Sequence, residues 1–84
     1  MKLPVEPERL RSRFPSLSDE DVDAYVEVTR QVLALADPRS RGRAMAEVMA
    51  AAQRASEREA GGAELAQDER LAVRYLRAVG KMQG

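Results

Sequence analysis

The chain has 84 residues, fourteen Lys+Arg against fourteen Asp+Glu, and neither Cys nor His. That length makes one small domain, and the missing side chains exclude thiol catalysis, disulfide staples, zinc fingers and imidazole acid–base pairs. Balanced charge gives no overall field to recruit nucleic acid or an anionic membrane, and no apolar run reaches the roughly 18 to 20 residues of a membrane span.

Twelve of the fourteen basic residues are Arg, Ala occurs fourteen times, and Ile and Asn are missing. Arg and Ala have GC-rich codons while Ile, Asn and Lys have AT-rich ones, so the skew reads as a GC-rich bacterial genome. Abundant arginine is therefore not in itself a sign of phosphate binding. The only aromatics are Phe14, Tyr25 and Tyr75, and much of the apolar content is Ala. A chain this size buries only about 60–65% of its unfolded surface, and alanine adds little area at roughly 25 cal/mol per Å². Self-association is the expected way to complete so thin a core.

Met1 to Glu6 carry one Lys and no apolar core segment, so they read as an extended lead-in and not as a secretory signal, and the chain as cytoplasmic. Pro7 can open a short helix over about 7–14, which Pro15 ends. Leu10 and Phe14, at i and i+4, give it one small apolar face, the mark of a lid on the main helices.

Ser18 is a good N-cap, with Asp21 at the capping-box position and Leu17 and Val22 at the hydrophobic-staple spacing. Asp19, Glu20 and Asp21 complement the positive end of the dipole. Helix A is predicted over about 19–36. Val22, Tyr25, Val26, Val32, Leu33 and Ala36 form its main stripe. Ala24, Val28 and Leu35 form a second stripe, which calls for a second partner.

Asp37 or Ser40 can cap helix B, predicted over about 41–60 and stopped by Gly61-Gly62. Gly42 falls early in it, where its propensity cost is most easily tolerated. Met45 and Met49 read as core. Ala44, Val48, Ala51 and Ala55 fit a heptad-like spacing of small side chains that permits close helix approach. The pattern lasts under two heptads, too short for a coiled coil. Gly61-Gly62 reads as a C-cap and turn in preference to a hinge.

Helix C is predicted over about 68–80, with Leu71, Ala72, Tyr75, Leu76 and Val79 inward and Leu65 packing back near Leu71. Both tyrosines read as core residues with hydrated hydroxyls. Arg74, Arg77 and Lys81 favour the negative end of the dipole. Met82 is expected exposed in the tail.

Three features bear on chemistry. Asp19, Asp23 and Glu27 recur every four residues, as a hard-cation site could use, but a capping cluster on a solvated face accounts for them better. No metal and no cofactor is expected. Arg39, Arg41 and Arg43 gather at the start of helix B, where an anion would find free N–H groups. In an antiparallel A–B hairpin they would instead lie beside the negative C-terminus of helix A, the favoured account. The serines have no His or Lys partner, no phosphate-loop or dinucleotide motif occurs, and helix B lacks a base-reading face.

The sequence thus predicts an all-α fold of three principal helices plus a short N-terminal one. Its expected role is that of a non-enzymatic interaction protein, a homodimer using Ala24, Val28 and Leu35 with Ala44, Val48, Ala51 and Ala55, with another protein's helix as a possible further partner. The alternative is a small nucleic-acid-associated regulator using Arg39, Arg41 and Arg43, joined by Arg9, Arg11 and Arg13, for phosphate contacts.

Overall fold

The cap residues set the helix boundaries. In the computed structural model, residues 6–83 are described, and they form α1 (Pro7–Arg13), α2 (Asp19–Leu33), α3 (Pro38–Ala60) and α4 (Gln67–Gln83), with no strand among them. The all-α fold with three main helices is as the sequence predicts. The lead-in over residues 1–5 lies outside the described residues.

Ser18 Oγ accepts from the Asp21 N–H and Asp21 Oδ2 from the Ser18 N–H, both at 3.1 Å, so the capping box is complete. Leu17 and Val22 share one buried cluster, as the staple spacing requires. At the far end α2 stops at Leu33, three residues short of the sequence estimate. Asp37 is extended (φ −94°, ψ 126°), the conformation that Pro38 imposes on the residue before it.

 Glu6, ahead of Pro7, is extended for the same reason (φ −83°, ψ 123°).

Helix α3 correspondingly begins three residues early. Pro38 fills its first position, where no N–H is needed, and Asp37 caps it by accepting from the Arg39 N–H at 3.3 Å and the Ser40 hydroxyl at 3.2 Å. Gly42 is therefore the fifth residue of α3 and not an end residue. The C-terminus closes as a Schellman motif: Ala63 N–H donates to Arg58 O, Gly62 N–H to Glu59 O, and Gly62 takes φ +94°. Gly61-Gly62 is thus a helix stop. Helix α4 continues through Gly80 to Gln83, past its predicted end.

The packing order departs from a simple A–B hairpin. Helix α4 lies between α2 and α3 and packs extensively on both, α1 sits on α2, and α2 and α3 touch only sparingly. Helices α2 and α4 run antiparallel, with Asp21 meeting Lys81 at one end and Gln31 near Gln67 at the other.

One core cluster joins Leu10 of α1 to Leu17, Val22, Val26 and Ala78, with Phe14, Tyr25 and Met82 packed against it. The lid expected of α1 is there, since Leu10 is 1% exposed. Met82, expected in an exposed tail, instead covers this cluster because α4 stays helical to reach it. A second cluster joins Leu65 to Ala55 and Val73. Leu65 therefore packs toward the α3–α4 seam, and Leu71, its expected neighbour, is only half-buried. Tyr25 and Tyr75 stack at 5.6 Å between centroids and 16° between planes. The Tyr75 hydroxyl donates to Met45 Sδ at 3.3 Å, so its proton goes to sulfur and not to water.

Candidate interaction surface

The residues singled out from sequence divide into an inner and an outer set. Ala24 and Val28 are 2% and 3% exposed and Ala55 is 1% exposed, so the fold itself covers them. Helix α2 packs on both α1 and α4, which gives its two apolar stripes partners inside the chain. The second stripe is therefore no free surface at Ala24 and Val28. Leu35 is the exception, at 38% exposed. Ala44, Val48 and Ala51 are half-buried, as are Met45 and Met49, which were expected in the core.

Position along each helix explains the difference. On α3, Val48 and Ala44 share the inward side with Ala52 and Ala55, by the helical repeat of 3.6 residues. Ala52 and Ala55 are sealed, yet Val48 and Ala44 are half open. On α2, Val22, Val26 and Thr29 are buried, while Val32 and Leu33, on the same side one turn later, are half-buried. Cover runs out over the last turn of α2 and the first turns of α3. The four residues 34–37 join those two ends, so the partly covered side chains adjoin at one corner of the molecule.

Arg41 braces this corner. Its Nε donates to Leu35 O at 2.6 Å and its Nη2 to Leu33 O at 3.5 Å. Those carbonyls end α2 and lack helical donors, and the guanidinium also opposes the negative end of the dipole. Of the arginine trio, Arg41 thus serves the C-terminus of the preceding helix. Arg39 and Arg43 are exposed and make no ion pair among the described residues. The trio does not converge on one anion. Arg9 pairs with Glu6, Arg11 with Asp19, and Arg13 lies over the Phe14 ring at 5.8 Å.

The acidic run is dispersed in the same way. Asp19 pairs with Arg11 and Glu20 with Arg74, Asp21 takes Lys81, and Glu27 accepts from Gln31. Among the described residues no three carboxylates converge as a metal would need, and no helix is long and apolar enough to cross a membrane. A shallow groove of 590 Å³ runs between α2 and α4, lined by Glu20, Asp23, Glu27, Arg30, Leu71 and Arg74 among others. Its charges are mixed and its apolar lining comes from Pro7, Ala24, Val26 and Leu71. The sequence names Leu35, Ala44, Val48 and Ala51 but does not separate them from the sealed Ala24, Val28 and Ala55, because that division depends on α4 lying between α2 and α3. No protein-family model, curated protein or solved structure matches this chain.

Proposed function

We propose that this chain is a non-enzymatic protein–protein interaction protein that self-associates or receives a partner helix at the α2–α3 corner. The observation that carries the reading is the loss of cover along one continuous side of α3, from sealed Ala52 to half-open Val48 and Ala44, beside exposed Leu35. A helix laid against Leu35, Ala44, Val48 and Ala51 would continue the apolar contact that α4 begins. The small side chains there allow close approach. The engagement of Arg41 within the chain weakens the alternative of phosphate contacts by the arginine trio.

The test compares sedimentation and capture of partners from the native host for the wild type and for Val48→Glu. Val48 is only half-buried, so the variant is expected to keep its helicity and lose the association, because the contact would trap an unpaired charge. Association unchanged in a folded Val48→Glu variant would sink the corner reading. Binding to DNA or RNA that weakens steeply with salt and is lost in an Arg39, Arg41 and Arg43 triple Ala variant would install the regulator instead.

A further inference from the structure

The solvent-exposed flank of α3 beside the corner carries five exposed charges that the fold leaves unused. Arg58 is spent on Glu69 and Glu59 on Arg77. Arg39, Arg43, Glu47, Arg54 and Glu57 are exposed and form no ion pair among the described residues. Four of these alternate in sign along the helix: Arg43, Glu47, Arg54, Glu57. The order inverts about the midpoint between Ala50 and Ala51. Glu47 and Arg54 lie equally far on either side of it, and Arg43 and Glu57 lie almost equally far.

An arrangement that changes sign on reversal is complementary to its own antiparallel copy. We propose that the outer face of α3 is the seam of a two-fold homodimer, with α3 antiparallel to α3 of a second copy. Glu47 then faces the partner's Arg54 and Arg43 the partner's Glu57, and the symmetry makes each pair twice. The Glu47–Arg54 pairs fall about 5 Å along the helix from the crossing point and the Arg43–Glu57 pairs about 10 Å, at 1.5 Å per residue. A parallel pairing would set like charges together and is disfavoured.

The side chains between the charges agree with this. Ala50, exposed, stands on this face beside the crossing point, with exposed Ala46 one turn earlier at its edge. This inference rests on the reading of the chain as an interaction protein, but it uses the exposed flank of α3 and not Val48, and the two can fail separately.

The experiment is a charge-reversal cycle read by sedimentation equilibrium at low salt. Glu47→Arg and Arg54→Glu are each expected to weaken the dimer roughly tenfold, since each replaces two exposed pairs by two repulsions. The double reversal restores the complementarity and is expected to recover most of the loss. Both sites are exposed, so all three variants should keep the wild-type helicity. Ala46→Gln with Ala50→Gln, helix-compatible but bulky, is expected to dissociate the dimer with no loss of fold. A wild type that stays monomeric at concentrations on the order of a millimolar, where even weak pairs form, would overturn the seam. A dimer lost in Val48→Glu but indifferent to the reversals would also overturn it, while supporting the corner.

Discussion

Lys81, near the end of α4, donates from Nζ to Asp21 Oδ2 at 2.6 Å, and this contact fastens the last turn of the chain to the first turn of α2. The same carboxylate closes the capping box with Ser18. One side chain therefore serves a local cap and a contact across 60 residues of sequence.

The double role gives Asp21 a distinctive titration. Burial by itself raises its carboxyl pKa, but the Lys81 ammonium and the hydrogen bonds from Ser18 outweigh it, and the group lies below the ordinary value. A carboxyl depressed in the folded state adds stability that is fully present above its unfolded pKa of about 3.9. That stability is lost as the pH falls through the lower, folded value. Asp21→Ala is expected to cost about 1–2 kcal/mol near neutral pH, through the lost cap and pair, and to flatten the acid limb of stability against pH. Lys81→Met should cost less, under about 1 kcal/mol, because water screens the exposed ammonium. It should also raise the Asp21 pKa, which an NMR titration of the carboxyl carbon reads directly. An unmoved Asp21 pKa would show that the cap alone depresses it.

Two glycines should respond in opposite directions to the same change. Gly80 is exposed inside α4, takes no positive φ, and has open space where a Cβ would stand. Gly80→Ala should therefore stabilise by about 0.5–1 kcal/mol. Gly62 also has open space but holds φ +94° at the Schellman stop. Gly62→Ala should destabilise by about 1–2 kcal/mol, the cost of a Cβ in left-handed backbone. Paired thermal melts check both signs, and equal responses would refute the conformational account.

These residues also show what was legible in the sequence. The Ser18–Asp21 box, the Leu17–Val22 staple and the Gly61-Gly62 stop depend on neighbours within five residues, and all three were readable. The continuation of α4 was not, because it depends on partners far along the chain. Gly80 penalises the helix locally, but Lys81 gains Asp21 and Met82 gains the Leu10 cluster only if the helix goes on. The candidate surface divides in the same way. Arg41 beside the end of α2 follows from a short connection. The burial of Ala24, Val28 and Ala55 follows from which helix takes the middle place, and no local pattern encodes that.

Tyr75 is expected to set the alkaline limit of the fold. Its ring stacks on Tyr25 and its hydroxyl donates to Met45, so one side chain holds α2, α3 and α4 together. Burial raises its pKa, and the neighbouring Tyr25 phenol adds to the rise. A phenol raised in the folded state contributes stability that is complete below its unfolded pKa of about 10. As the pH rises from there toward the folded value, the unfolded chain ionises first and that stability is lost. Ionisation also removes the proton that Tyr75 gives to Met45 and puts a phenolate in an apolar site. Stability is thus expected to fall above about pH 10, before the Tyr75 phenolate absorbance of the folded protein appears. In Tyr75→Phe the stack and the ring volume remain and the weak O–H···S contact is lost, at a cost of about 1 kcal/mol or less near neutral pH. The variant should lose less stability than the wild type over the alkaline range. Helicity followed against pH for both proteins decides the matter: coincident alkaline limbs would show that Tyr75 ionisation does not govern the opening of the three-helix junction.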